Sequence, residues 1–140
     1  MSGPTAWRRH RTAQRLLGER GAAVVEFALV VPVLLVLLLG IVEYSRAFNA
    51  QATLSAAARE GARTMALAND VGQARSAAQN AAAELGVPSS AITISPSSCT
   101  GASATTAVTV TIRHRQEFVS GFLGRTGVDL TGRAAMRCGG

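Results

Sequence analysis

Glu26 raises the clearest chemical question in this sequence, because it lies at the head of a long apolar run. Residues 27–42 carry no charge, and within the longer stretch 22–42 Glu26 is the only ionisable side chain. A carboxylate that enters the hydrocarbon region of a membrane costs several kcal/mol unless it is paired. Glu26 is therefore either held by a cationic partner or close enough to the membrane surface for its side chain to reach water.

The other chemically capable side chains form no catalytic or metal-binding pattern. His10 lies in a basic N-terminal segment and His114 in a predicted strand, and neither has cysteines or paired carboxylates at metal-ligand spacing. Glu117 and Asp129 are isolated acids, and the sequence has no glycine-rich phosphate loop or nucleophile elbow. We therefore expect no enzymatic activity, no cofactor or metal and no small-molecule substrate.

Positive charge is concentrated at the N-terminus. The net charge is +6, and residues 1–21 alone hold five arginines against one glutamate. The rest of the chain has no basic face interleaved with aromatic residues, so we expect no nucleic-acid partner. Residues 1–20 are polar and basic and include Gly3 and Pro4, which predicts a disordered leader that ends at Gly21.

The apolar run 22–42 has the length of a membrane span. As an α-helix it would be about 30 Å long, which matches the hydrocarbon core of a bilayer. Pro32 lies inside the run, a position that membrane helices tolerate. The alternative is a buried helix of a soluble domain, but nothing else in the chain is large enough to cover it. The arginines before the span predict a cytoplasmic N-terminus and an extracytoplasmic C-terminus.

The two cysteines, Cys99 and Cys138, both lie beyond this span. An even pair favours a disulfide in an exported segment and two free thiols in the cytosol. Because the predicted topology exports this part of the chain, we predict that the pair is bonded.

The helical pattern continues past the span into a region that we place at residues 43–86. A narrow face of mostly small residues recurs at helical spacing: Ala47, Ala50, Leu54, Ala57, Gly61 and Met65. Small residues permit close packing either on another helix or on the chain's own C-terminal part, and the pattern leaves both open. Asn69 and Asp70 interrupt the helix, and Asp70 is a good cap for a second one. That second helix should end near Gly86 and Pro88. Its apolar face consists of Val71, Ala74, Ala78, Ala81 and Leu85.

Residues 87–140 change to a two-residue period. Segments 91–95, 106–114 and 128–137 alternate apolar with polar side chains, as half-buried strands do. A three-stranded sheet has one apolar face that needs cover, and the helices can supply it. We therefore expect an α+β, pilin-like fold: a single membrane span with a long N-terminal helix, a second helix and a small three-stranded antiparallel sheet.

The N-terminal residues resemble a type IV prepilin signal. A basic leader precedes Gly21, four small or apolar residues follow it, and Glu26 and Phe27 begin the apolar helix. The stretch "RGAAVVEFALVVPVLLVLLLGIVEYSRAF", followed by "AAAREGARTMA" at 56–66, is similar to the TadE-like family of the tight-adherence (Tad/Flp) pilus system. Members of that family are regarded as pseudopilins or minor pilins. Beyond Pro88 the similarity rests only on the general layout.

The resemblance implies where the chain is processed and which partners it has. A membrane prepilin peptidase would cut between Gly21 and Ala22 on the cytoplasmic face and leave Glu26 at mature position five. The partners would be that peptidase, membrane lipid and the other Tad pilus subunits. The location would be the cytoplasmic (inner) membrane or, after incorporation, an adhesive surface pilus.

Two departures from the main Flp-type pilins indicate an accessory subunit. The chain has Glu-Phe where those pilins carry Glu-Tyr at the cut, and it is much longer than they are. One alternative is an uncleaved single-pass anchor whose outer domain binds an envelope partner. Another is a secreted protein cut by signal peptidase I after the small-x-small triplet Ser45–Ala47, although the apolar run is long for a signal sequence.

Cleavage would also create a partner for Glu26. The new ammonium group on Ala22 lies four residues away, so the two can meet within one helix or between neighbouring subunits. Further along, Arg59, Glu60 and Arg63 form a charged group that can contact a partner's acidic patch or simply be a solvated face. Glu60 is placed to pair with Arg63 three residues on.

Overall fold

The computed structural model describes residues 11–103, 105–119, 121 and 126–139, with side chains from residue 21 onward. The chain forms helix α1 (Arg11–Ala68), helix α2 (Val71–Ala81) and strands β1 (Ile92–Ser95), β2 (Ala107–Glu117) and β3 (Gly127–Arg137), with short 3-10 turns at Ala83–Leu85 and Ser89–Ala91. Two compact units divide the chain, one ending at Ile41 and one beginning at Val42. The expected α+β fold is confirmed.

Helix α1 begins earlier than the sequence predicts. It starts at Arg11, so the expected disorder is wrong for residues 11–20, whereas residues 1–10 lie outside the described residues. Residues 5–31 contain no proline and are rich in Ala and Arg, which favour helices. Once the apolar run has formed a helix, adding turns at its N-terminal end needs no new nucleus.

The N-terminal unit leaves its apolar side chains uncovered. Between Val24 and Val42 the large apolar side chains other than Val31 are 43–70% exposed. Helix α1 continues through Pro32. Within the part of the chain that the structure describes, this helix alone is long and apolar enough to cross a membrane.

The C-terminal unit is built on an antiparallel meander with the strand order β1-β2-β3. Ile92 pairs with Ile112, and Val110 pairs with Ala134. Val108, Val110 and Ile112 are fully buried on the inner face, so the predicted alternation is confirmed. Strand β2 extends three residues beyond the predicted end at 114, because residues 115–117 pair with residues 127–129.

The second half of α1 packs on the sheet and on α2. Its buried face is wider than the predicted stripe and comprises Ala50, Leu54, Ala57, Ala58, Gly61, Ala62, Met65 and Ala66. Two core clusters contain most of these residues, and each cluster also includes residues of α2 and of the inner face of β2. From Ala50 to Met65 the small-residue stripe therefore packs on the chain's own C-terminal part, which is one of the two alternatives that its spacing leaves open.

Helix α2 is capped as the sequence predicts but ends differently. The Asp70 carboxylate accepts a hydrogen bond from the Gln73 backbone N–H at 2.9 Å. Ala74 and Ala78 are buried, but Ala81 is exposed and Ala82 is buried in its place. The assignment of Ala81 to the apolar face is wrong because Ala82, four residues after Ala78, continues the buried face of Ala74 and Ala78. The Ala82 N–H still donates to the Ala78 carbonyl oxygen at 3.1 Å, as in an α-helix.

Strand β3 approaches helix α1 closely at Gly132. A Cβ atom on this residue would lie 2.8 Å from Leu54 Cβ and closer still to the Leu54 carbonyl group. The Gln51 side-chain amide also donates to the Thr131 carbonyl oxygen at 2.9 Å, which fixes the helix at this point of β3. Only glycine fits between the strand and the helix backbone here.

We expect Gly132→Ala to lower the free energy of unfolding by about 3 kcal/mol, because overpacking a full core forces the backbone to shift. Ala135→Val is the matched control, since Ala135 lies on the exposed face of the same strand. Urea unfolding of the full-length protein in detergent micelles, followed by circular dichroism, measures both. Equal midpoints for Gly132→Ala and wild type would show that the helix does not lie against β3 as described.

Candidate processing and assembly site

Gly21, Ala22 and Glu26 lie in helix α1 and are exposed. Ala22 and Glu26 are four residues apart, which places them on the same helix face. Among the residues whose side chains the structure describes, none forms a hydrogen bond or ion pair with the Glu26 carboxylate. Ala22 and Glu26 therefore lie on one exposed helix face, as the sequence predicts, and the Glu26 carboxylate is accessible to another molecule.

The backbone around Gly21 is open. A Cβ atom built on Gly21 meets nothing within 4 Å, and the same is true of Gly40 in the same helix. Neither glycine is needed for packing within the described part of this chain. A substitution at either position therefore tests recognition by another molecule and leaves the fold untouched.

The charged group Arg59, Glu60 and Arg63 lies on the exposed side of α1. Within the described part of the chain Glu60 and Arg63 form no ion pair, although their spacing would permit one. The Glu60 carbonyl oxygen instead accepts a hydrogen bond from the Thr64 hydroxyl at 3.0 Å. Contact of this group with a partner stays a prediction.

Cys99 and Cys138 form a disulfide, as predicted. It joins the β1–β2 connection to the end of β3, and the Cys138 N–H also donates to the Thr106 carbonyl oxygen at 3.0 Å. The Asn69 side-chain oxygen accepts from the Cys99 N–H at 2.6 Å, so the end of α1 is tied to the same place. Sequence reasoning assigned Asn69 only to a helix break and missed this role.

Replacing both cysteines by serine should lower the free energy of unfolding by about 4 kcal/mol, since the bond closes a loop of about 40 residues. Denaturant unfolding of the wild-type and Cys99→Ser/Cys138→Ser proteins in detergent measures the difference. Thiol labelling of native protein without reductant is the companion assay, and two freely alkylated thiols there would contradict the pairing.

A further polar contact lies at the end of the apolar run. Glu43, the first charged residue after the run, accepts a hydrogen bond from the Val119 backbone N–H at 2.6 Å and lies 4.0 Å from the Arg46 guanidinium. The Glu43 side chain is only 14% exposed. Sequence reasoning missed this contact, although the spacing of Glu43 to Ala47, Ala50 and Leu54 already places it on the buried face of α1.

No cluster of three or more metal-ligating side chains occurs in the described residues. The arrangement as a whole is an α+β protein with one uncovered apolar helix next to an exposed glycine and carboxylate. The apolar helix is long enough to cross a membrane.

Comparison with known families finds one similarity. Residues 21–63 match the family model described as TadE-like protein, which confirms the resemblance over that segment. The match includes Gly21, Ala22 and Glu26 and ends at Arg63. No curated protein and no solved structure matches the chain.

Proposed function

We propose that this protein is a minor pilin, or pseudopilin, of a Tad-type pilus. In this proposal residues 22–42 cross the cytoplasmic membrane, and the unit that begins at Val42 lies outside. A prepilin peptidase removes residues 1–21, and the mature chain joins other pilus subunits through its exposed apolar helix. The protein has a structural role and carries out no catalysis.

One observation carries this proposal. The same helix is buried in its own domain from Ala50 to Ala66 and uncovered from Val24 to Val42. Burying a large apolar side chain stabilises a protein by about 1.5–3 kcal/mol, so an uncovered run of this length needs lipid or other apolar helices around it. A pilin uses both in turn, lipid before assembly and neighbouring helices after it.

Charge and cysteine chemistry support the orientation. Five arginines in residues 1–21 favour a cytoplasmic leader. The Cys99–Cys138 disulfide requires an oxidising compartment, and such bonds are rare in the cytosol. Both observations favour an extracytoplasmic C-terminal domain, and neither depends on the family resemblance.

The uncleaved anchor is the second candidate function. It shares the span and the outer domain, and the exposed group Arg59, Glu60 and Arg63 would be its natural contact with a partner. Secretion by signal peptidase I is less favoured, because Ser45–Ala47 lies within the helix that continues into the domain core.

The intact mass of the protein extracted from membranes tests the proposal. A pseudopilin has lost residues 1–21 and begins at Ala22. A full-length chain in a strain with an active prepilin peptidase would contradict processing and favour the uncleaved anchor. A soluble chain that begins after Ala47 would indicate secretion.

A further inference from the structure

A second apolar surface lies just beyond the apolar run, within the C-terminal unit. It consists of Tyr44, Phe48 and Val119, which are 73%, 67% and 69% exposed. Tyr44 and Phe48 are stacked on one helix, with ring centroids 6.5 Å apart. Val119 belongs to the β2–β3 connection, far away in sequence. We call these three side chains the collar.

The contact with Glu43 sets the height of Val119 along α1. The Val119 N–H donates to the Glu43 carboxylate at 2.6 Å, so Val119 is held at the helix turn that follows Val42. Tyr44 and Phe48 lie on the first turns after the same point. Phe48 lies four residues, or about 6 Å, further along the helix axis than Tyr44.

The collar covers less than half of the helix circumference. At about 100° per residue, Tyr44 and Phe48 point roughly 100° and 140° around the helix axis from Glu43, which accepts the hydrogen bond from Val119. The collar directly follows the uncovered apolar run that ends at Val42, and this continuity favours a bilayer as its partner.

We propose that the collar rests in the interfacial layer of the outer membrane leaflet and seats the extracytoplasmic domain on the bilayer before assembly. The inference rests on the proposed crossing of the membrane by residues 22–42. Tyrosine suits this layer because its ring is apolar and its hydroxyl can face water. Glu43 and Arg46 then lie at the level of the headgroups, where charge is hydrated, and the collar holds the domain at a fixed depth and orientation.

Tryptophan substitution measures this directly. Trp7 is the only tryptophan, so Trp7→Phe gives a background without indole fluorescence. Val119→Trp and Tyr44→Trp are placed singly in this background. The full-length chain is reconstituted in phosphatidylcholine vesicles with or without bromine near the carbonyl end of the acyl chains. Both variants should emit at shorter wavelength than in water and lose emission in the brominated lipid.

Three further variants serve as controls. Leu37→Trp lies within the run 22–42 and should be quenched by bromine placed deep in the acyl chains. Ala56→Trp, on an exposed position of α1 about 18 Å beyond Tyr44, should be unquenched. Ala135→Trp, on the exposed face of β3, should be unquenched as well.

A variant without the Glu43 carboxylate tests whether the hydrogen bond from the Val119 N–H positions Val119. Adding Glu43→Ala to Val119→Trp should shift its emission toward the value in water, whereas the same change should leave the quenching of Tyr44→Trp in place. This difference would show that Glu43 positions the connection and that lipid does not hold it alone.

The outcomes distinguish the inference from the proposed function. If Leu37→Trp is quenched and Val119→Trp emits as in water, the collar proposal is wrong and the membrane span stands. The collar proposal is equally wrong if Val119→Trp becomes protected only when other pilus subunits are added. If Leu37→Trp is itself unquenched, the span fails, and the collar proposal fails with it.

Discussion

The Gly21→Val variant is expected to remain at full length in the membrane, whereas the wild-type chain loses residues 1–21. A peptidase must bring the backbone of the scissile residue close to its catalytic groups, and glycine permits that approach because it has no Cβ atom. A β-branched side chain at this position blocks it. Valine also stiffens the backbone that has to leave the helix before it can be cut.

The open surroundings of Gly21 allow this variant to test recognition by the peptidase without a change in the fold. A side chain at Gly21 meets nothing within 4 Å in the described part of the chain, so valine leaves the fold unchanged. Gly40→Val is the matched control, since it makes the same substitution at an equally open glycine of the same helix. Immunoblots of membranes from cells with and without the peptidase compare the two. Normal shortening of Gly21→Val would remove the support for a cut at this position.

Much of the fold could be predicted because the spacing of apolar residues changes from a helical to a two-residue period where the structure changes from helices to strands. The two-residue alternation of Val108, Val110 and Ile112 requires one buried face, and the structure buries all three. Asp70 is a capping residue with a local partner, so its role depends on no distant contact. The disulfide could be predicted because only two cysteines are present and the predicted topology places both outside the cytosol.

Contacts between distant segments could not be predicted in the same way. The bond from Val119 to Glu43 joins residues 76 positions apart, and no local pattern specifies it. Gly132 did leave a signal, since an isolated glycine inside a strand marks a close backbone approach. The glycine alone does not identify Leu54 as the residue that approaches it. The start of α1 was misplaced because charge suggested disorder where helix propensity and the following apolar run favour a helix.

The two halves of α1 show how one helix meets two requirements. From Ala50 to Ala66 its buried residues are nearly all small, so the sheet and α2 can approach its backbone closely. From Val24 to Val42 its exposed residues are mostly Val and Leu, which suit contact with lipid or with neighbouring apolar helices. Glu26 lies near the N-terminal end of this exposed half, and its function depends on what surrounds the helix.

Glu26→Ala should leave processing and membrane insertion intact and abolish association with partner pilins. The variant makes the apolar run more apolar, so insertion can only improve. In the proposed assembly the carboxylate pairs with the Ala22 ammonium of a neighbouring subunit. In the variant that ammonium is unpaired among apolar helices, which costs about 3 kcal/mol or more and weakens association at least about 100-fold.

Glu26→Asp and Glu84→Ala complete the test. Aspartate keeps the charge but shortens its reach by one methylene, so assembly should be partly lost. Glu84 is an exposed acid of the C-terminal domain, and its removal should change nothing. Co-purification of tagged variants with the other pilus subunits, beside a membrane-fractionation control, measures all three. If Glu26→Ala enters the assembled complex at the wild-type level, the carboxylate only reaches to water at the membrane surface and does not set the register between subunits.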